Sequence, residues 1–303
     1  MSAEASPGVE AIPNFAARAP SPLRRAAAAL ARRRGALAAV VGLGILGIAA
    51  GAVPALAARG PAAIDLALGA APPSLEHWFG TDALGRDLFL RVLDGARVSL
   101  GVALIATFVS LGIGVPYGAV AGSAGGRVDA LLMRAVDVLY GMPSILFVLL
   151  LLSWFGGNPA WTLPLLFVGL GAISWLTTSR IVRAQVLSLR SREFIDAARL
   201  AGASEASVIF RHLVPQTAGP VLAYATLTIP RVMIEEAFLS FLGLGVSAPR
   251  SSWGTLLYEG MQSFRETPWL VLFPGLALAA TLVAFYAIGD ALRDALDPKE
   301  TRR

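Results

Sequence analysis

Long apolar runs without charged residues alternate with short polar segments along this chain. A helix needs about 20 apolar residues to cross the hydrocarbon core of a bilayer, and these runs are long enough to do so. The run 138–179 is too long for one crossing, and the turn-forming sequence Gly156-Gly157-Asn158-Pro159 divides it into two. The pattern therefore predicts six membrane-spanning helices, in the runs 35–58, 98–126, 138–179 (two helices), 217–244 and 268–289.

The second predicted span carries a stripe of glycines. Gly114, Gly118 and Gly122 recur every four residues, so they lie on one side of a helix. Small residues on one side allow the backbones of two membrane helices to approach closely. We therefore expect this side to pack against another span.

Composition places the chain in a bilayer by an independent route. Hydrophobic residues make up 56% of the chain and charged residues 15%, against about 45–50% and about 25% in soluble domains. The expected fold class is therefore all-α, a polytopic membrane protein. The lack of cysteine excludes disulfides and thiolate metal ligands. The positive charge is spread over loops and chain ends instead of forming one stripe, which argues against a nucleic-acid partner.

The distribution of arginine predicts the orientation. Six arginines precede the first predicted span, two lie between the second and third, and six lie in the polar segment after the fourth. A six-span chain places all of these on one side, and arginine favours the cytoplasmic side, so both termini are expected in the cytoplasm. A signal peptide cleaved after Ala55-Leu56-Ala57 is the alternative and would leave five spans. However, the apolar run exceeds the roughly 7–15 residues of such a signal.

The polar segment between the fourth and fifth predicted spans has the pattern of two short helices. Ser191 is placed to cap the first helix, with Glu193 in its first turn. Gly202 can adopt the left-handed conformation that ends a helix, and Ser204 can cap a second helix, which we expect to end before Pro215. This pattern predicts a cytoplasmic docking element or, alternatively, an amphipathic linker resting on the membrane surface. The first helix has a small apolar side formed by Phe194, Ala197, Ala198 and Ala201.

Three charged residues, Arg231, Glu235 and Glu236, interrupt the fifth predicted span. A charge placed in lipid costs at least about 2–3 kcal/mol, so such residues need an oppositely charged partner or a water-accessible surface. Arg231 and Glu235 are four residues apart and can pair along one side of the helix. The group is therefore either a structural ion pair or part of the lining of a translocation path.

No set of residues predicts catalysis or a metal site. The single lysine, Lys299, lies outside any GxxxxGK[ST] phosphate-binding sequence, so an ATPase would have to be a separate chain. His77 and His212 have no second ligand at metal-binding spacing. Asp82, Arg86 and Asp87 are explained as an acidic helix-capping turn with a counter-ion. We therefore expect that the chain is not an enzyme and has no metal and no cofactor of its own.

Four blocks of sequence resemble one family of permeases. Asp196-Ala197-Ala198, Gly202 and Leu213-Val214-Pro215 are similar to the EAA loop, by which permeases of ATP-binding-cassette (ABC) importers seat themselves on ATPase subunits. Asp196 replaces the usual Glu of that loop, and Val214 replaces the usual Leu. The blocks 80–100, 236–245 and 289–298 are similar to C-type permeases of the peptide and nickel importer family, in the same order along the chain.

The resemblance implies a type I ABC importer permease fold. It divides the chain into a cytoplasmic tail (1–34), a first span with an extracytoplasmic loop (35–97), a permease core (98–292) and a second cytoplasmic tail (293–303). The core contains the docking loop, 191–215. The residues that the resemblance assigns to docking are Glu193, Asp196, Ala197, Ala198, Gly202, Ser204 and Pro215.

The resemblance further implies a transport function in the bacterial cytoplasmic membrane. The cargo would be di- or oligopeptides, or nickel and other metal chelates. The partners, besides membrane lipid, would be a second homologous permease, two ATPase subunits that bind the ATP, and an extracytoplasmic substrate-binding protein. A self-sufficient secondary transporter or channel is the rival interpretation; it would be expected to contain inverted internal repeats, and the sequence has no clear repeat.

Overall fold

The computed structural model describes residues 22–155, 159–246 and 248–296, and helices dominate these ranges. Two π-helical segments, Val208–Leu213 and Ser240–Leu244, precede and follow helix α9. The helices are α1 (Pro22–Arg32), α2 (Arg34–Leu56), α3 (Leu88–Ala124), α4 (Gly126–Tyr140), α5 (Ser144–Phe155), α6 (Pro159–Leu189), α7 (Glu193–Leu200), α8 (Glu205–Ser207), α9 (Val214–Leu239), α10 (Trp253–Gln262) and α11 (Trp269–Leu296).

Four helical stretches in the described ranges are long and apolar enough to cross a membrane: Arg34–Leu56, Leu88–Ala124, Leu163–Leu189 and Trp269–Leu296. Helices α4 and α5 meet the same test together but are bent by 74° at the break between them, so up to five spans qualify. Helix α9 lies outside this set and carries Arg231, Glu235 and Glu236 in its C-terminal half. These results confirm a polytopic, helical membrane protein, while the count of six stays a prediction.

The predicted third span differs most from the structure. Its predicted start at residue 138 is wrong, because that residue lies inside α4, a separate amphipathic helix that begins at Gly126. The break at 141–143 ends in Pro143, which lacks a backbone N–H and disfavours helical geometry in the residue before it. Of the turn predicted at 156–159, only Pro159 is described; it begins α6.

The other predicted spans correspond to helices with shifted ends. Helix α3 begins at Leu88 instead of residue 98, because the side chain of Asp87 caps it by accepting a hydrogen bond from the backbone N–H of Leu90. Helix α6 continues ten residues beyond 179, to Leu189. The short helix α10, between α9 and α11, was not predicted.

The glycine stripe packs α3 against α6, as predicted. A Cβ added at Gly114 would lie 2.6 Å from the Cβ of Thr178, and one at Gly118 would lie 2.9 Å from the Cβ of Val182. Such distances are too short for any real side chain, so the two backbones are in close contact. A hydrogen bond of 2.8 Å between the hydroxyls of Ser110 and Thr178 adds a polar link at the same interface.

Helix α10 is anchored by Trp253, whose side chain is fully buried. Its indole Nε1 donates a hydrogen bond of 2.9 Å to the carbonyl of Val92 on α3. A capping box formed by Ser252 and Thr255 begins the helix. Helix α10 therefore belongs to the same core as α3 and α9.

Candidate functional site

The residues 193–215, here called the docking segment, form α7, α8 and the π-helical segment that follows. Helix α7 begins after Arg192, whose extended backbone places it at the N-cap position without a side-chain cap. The prediction that Ser191 caps this helix is therefore wrong, because Ser191 lies one residue too early. Glu193 occupies the first turn of α7, as predicted, and Asp196 lies there too; the positive end of the helix dipole favours both carboxylates.

Gly202 makes the turn between α7 and α8. Its backbone has φ +84°, the left-handed region that glycine adopts without strain, and this confirms the predicted stop. The N–H of Gly202 donates to the carbonyl of Arg199 (2.9 Å), and the N–H of Ala203 donates to that of Ala198 (3.1 Å). A Cβ on Gly202 would meet nothing within 4 Å, so the requirement for glycine is conformational.

Ser204 caps α8 as predicted, accepting a hydrogen bond of 3.3 Å from the backbone N–H of Ser207. Arg199 at the end of α7 binds Glu205 at the start of α8, with 3.0 Å between Nε and Oε1. The hydrogen bond to Glu205 raises the pKa of Arg199, which stays charged. The capping bond begins α8, and the ion pair links the end of α7 to the start of α8.

The helix does not end before Pro215, contrary to the sequence-based prediction. The chain continues from α8 through the π-helical segment into α9, where Pro215 lies in the first turn. Proline inside an α-helix clashes with the carbonyl four residues earlier. The wider π turn, in which the N–H of Val214 donates to the carbonyl of Ile209, accommodates Pro215.

The docking segment has a buried side and an exposed apolar side. Ile195, Val208 and Leu213 are fully buried against Ala119 of α3 and Val182 of α6. The opposite side, the predicted small apolar face, is largely exposed. It presents Phe194, Ala197 and Ala201, with Ala198 half-buried; Leu200, which is 90% exposed, and Phe210 are further exposed apolar residues of the segment.

Arg231 and Glu235 form the ion pair along α9 that their spacing predicts, with 3.0 Å between Nε and Oε1. The Arg231 side chain is 47% exposed and that of Glu235 is 16% exposed, so the guanidinium is the more accessible partner. Arg231 borders a cavity of about 330 Å³ at the junction of α4, α5, α6 and α9.

Glu236 is separate from this pair, although sequence analysis grouped the three charges together. Its side chain is fully buried and accepts hydrogen bonds from the hydroxyls of Ser240 (2.7 Å) and Ser99 (3.1 Å). The Ser240 hydroxyl also lies 3.2 Å from that of Ser252, the cap of α10. One residue turns an α-helix by about 100°, which is why adjacent glutamates face different surroundings.

Two further sets of charged residues escaped the sequence analysis. Arg183 of α6 binds Asp129 of α4 through two hydrogen bonds, with 2.6 Å between Nη2 and Oδ2. Near the start of α3, Arg91 lies within 2.6 Å of Asp82 and 2.8 Å of Glu259.

The acidic turn formed by Asp82, Arg86 and Asp87 was correctly predicted to cap a helix. Asp87 caps α3, and Arg86 pairs with Asp82 (2.7 Å). His77 hydrogen-bonds Asp87 (2.8 Å). In the ranges described, no group of three or more His, Cys, Asp and Glu is arranged to hold a metal ion.

Comparison with known sequences identifies relatives over most of the chain. The family model described as "Binding-protein-dependent transport system inner membrane component" matches residues 114–302. The oligopeptide transport system permease protein OppC of Haemophilus influenzae is 47% identical over 232 residues, covering 76% of this chain and 73% of that protein. The dipeptide transport system permease protein DppC of Bacillus subtilis is 44% identical over 232 residues, covering 76% and 71%.

Comparison with solved structures finds a similar fold. A structure of the MetNI methionine ABC transporter in inward-facing conformations matches with a TM-score of 0.52 and 15% identity, covering 69% of this chain and 97% of that chain. At this identity the match concerns the fold, which is that of a type I importer permease. The chain therefore belongs to the family of binding-protein-dependent transport system inner membrane components and is a multi-pass permease subunit of an ABC importer.

Proposed function

We propose that this permease is one half of a two-permease pore in a peptide importer, driven by two separate ATPase subunits that dock on the segment 193–215. Similar proteins are named as permeases of oligopeptide and dipeptide transport systems, which favours peptides over metal chelates as cargo. The observation that carries the proposal is the docking segment itself, with one side buried and the other apolar and exposed.

The exposed side of the docking segment is suited to a protein partner. Phe194, Leu200 and Phe210 are large apolar residues that remain accessible on a segment with many charges. Exposed apolar groups surrounded by polar residues are typical of protein interaction sites. Glu193, Asp196 and the small residues Ala197 and Ala198 complete the proposed contact, and Gly202 and Ser204 set the angle between its two helices.

The docking segment is connected to the membrane core without a loop. Its buried residues pack on α3 and α6, and its chain runs directly into α9 through Pro215. Movement of a docked ATPase would therefore be transmitted to α9, which contains Pro220 and Pro230 before its Arg231–Glu235 pair. We place this pair on the translocation path, because its half-exposed guanidinium is too costly to face lipid.

The side of the membrane on which each part of the chain lies decides which of the remaining partners it would meet. The loops 59–97 and 246–267 lie on the extracytoplasmic side in the proposed orientation and would receive a substrate-binding protein. The chain would lie in the inner membrane, with both termini and the docking segment on the cytoplasmic side. ATP would be bound by the partner subunits, and this chain would contribute no cofactor.

Co-purification tests docking directly. The tagged chain would be isolated in mild detergent from its host, and its partners identified by mass spectrometry. We expect an ATPase and a second permease with wild type, and clearly less ATPase with Gly202→Val, because a β-branched residue is strongly disfavoured at positive φ. Gly47→Val is the matched control: it adds the same side chain to a helix at an exposed glycine with open space around it.

Two results would contradict the proposal. Equal recovery of the ATPase with Gly202→Val and Gly47→Val would show that the turn does not position the contact. Cargo uptake by the purified chain alone, driven by an ion gradient without any ATPase, would favour the rival interpretation of a secondary transporter.

A further inference from the structure

A cavity of about 330 Å³ lies where the α4–α5 break meets α6 and α9. Its walls combine apolar and polar side chains, and among the residues that the structure describes Arg231 is the charged one that borders it. Tyr140, Ser144 and Thr177 are the other polar residues of the lining, and Leu139, Phe147, Ile173 and Leu176 form much of the apolar part.

The guanidinium of Arg231 has capacity for a ligand. Its hydrogen bond to Glu235 uses Nε, nearly half of its side chain is exposed, and a guanidinium carries four further N–H donors on its two terminal nitrogens. A guanidinium presents its donors in a planar fork that matches the two oxygens of a carboxylate. Glu235 is the more buried partner of this pair, and the guanidinium is the more accessible one.

Tyr140, at the α4–α5 break, is contacted by an arginine of α6. The guanidinium carbon of Arg180 lies 4.4 Å from the centre of the Tyr140 ring, a cation–π contact. Arg180 is itself paired with Asp137, with 2.7 Å between Nη2 and Oδ1. The aromatic wall of the cavity is therefore fixed by α6.

We propose that this cavity is a cargo subsite that receives the free C-terminal carboxylate of a peptide, bound by Arg231, with the adjoining side chain in the apolar part. This inference rests on the proposed peptide-import function. The cavity volume is at the lower end of the roughly 300–1,000 Å³ of ligand pockets. That size fits one terminus of a peptide better than a whole peptide.

The test compares two cargoes that differ only at the carboxyl group. A tripeptide with a free C-terminus and its C-terminal amide would be supplied to proteoliposomes containing the complete transporter. Each would be present at a concentration that saturates the substrate-binding protein, so that differences in affinity for that protein do not affect the measured turnover. The measured quantity is the ratio of ATP-dependent turnover for acid and amide.

We expect a ratio of about tenfold in wild type, equivalent to about 1.4 kcal/mol, and a ratio near one in Arg231→Gln. Arg231→Lys should keep part of the preference, because the charge remains but the fork is lost. Glu235→Gln is the matched control, since it breaks the same ion pair and leaves the guanidinium. It should retain the preference for the acid.

Each contrary result overturns the subsite. A wild-type acid-to-amide turnover ratio near one, or an unchanged ratio in Arg231→Gln, would show that Arg231 does not bind the carboxylate. Equal loss in Arg231→Gln and Glu235→Gln would mean that the ion pair is only structural. Transport of neither cargo by the wild-type complex would instead refute the peptide-import proposal, and the subsite with it.

Discussion

Ser240 donates a hydrogen bond of 2.7 Å to Glu236, one turn earlier on α9, at a point where both side chains are buried. Ser99 of α3 donates to the same carboxyl group and also accepts a hydrogen bond from the backbone N–H of Trp253. Glu236 therefore joins three helices, α3, α9 and α10. Its nearness to the first turn of α10 adds the favourable end of a helix dipole.

Replacing Glu236 with alanine is expected to lower stability. The variant leaves the hydroxyls of Ser99 and Ser240 without their acceptor, at a cost of about 1–3 kcal/mol. Glu236→Gln keeps an acceptor oxygen and should lose less. Thermal unfolding in detergent measures the difference, with the exposed Glu266→Ala as control. A melting temperature for Glu236→Ala equal to that of Glu266→Ala would show that the network is not stabilising.

The glycine stripe on α3 allows a closely matched pair of variants. Gly114→Leu should disrupt the contact with α6, because even a Cβ there would lie 2.6 Å from Thr178. Gly112→Leu, two residues earlier on the same helix, meets nothing within 4 Å and should be tolerated. Yield and monodispersity on size-exclusion chromatography would distinguish them. Similar behaviour of the two variants would argue against close packing of these backbones.

Arg91 is expected to be the most sensitive arginine at the start of α3. Its side chain is almost fully buried and binds the buried carboxylate of Asp82 and the partly exposed Glu259, so its loss should be destabilising although Arg86 still pairs with Asp82. Arg91→Ala should therefore unfold at lower temperature and expose the preceding loop to protease. Arg97→Ala, at a half-exposed site 3.9 Å from Asp94, should change little. Equal protease resistance of both variants would contradict this expectation.

The exposed face of the docking segment can be tested without disturbing the fold. Leu200→Asp places a charge on a side chain that is 90% exposed, so the chain should remain stable while recovery of the ATPase falls by about tenfold. Leu75→Asp makes the same change at a side chain that is 96% exposed in the loop before α3. Quantitative co-purification would compare the two. Undiminished ATPase recovery with Leu200→Asp would exclude Leu200 from the contact.

Features set by local physics were predictable from the sequence. Uncharged runs located the four helices that are long and apolar enough to cross a membrane, because lipid excludes charge over the full width of its core. Gly202 was identified as the turn, since few other residues adopt positive φ, and the glycine stripe indicated close packing. Arg231 and Glu235 paired as their spacing on one helix required.

Features set by tertiary contacts were not predictable in the same way. Arg91 and Glu259 meet across 168 positions of sequence, and no local pattern links them. The environment of Glu236 depends on Ser99, 137 positions earlier. The continuation of the helix past Pro215 depends on a π turn, for which we found no sequence signal.

The unbroken helix from α8 to α9 converts small angles into large displacements. At 1.5 Å per residue, Arg231 lies about 26 Å along the axis from Val214, where α9 begins. Pro220 and Pro230 lie along this length; if it moves as a rod, a tilt of about 10° at the end that carries the docking segment would shift Arg231 sideways by roughly 4–5 Å. Because Arg231 borders the cavity at the α4–α5 break, such a shift would change which side chains of α6 lie near the guanidinium and would reshape the cavity wall.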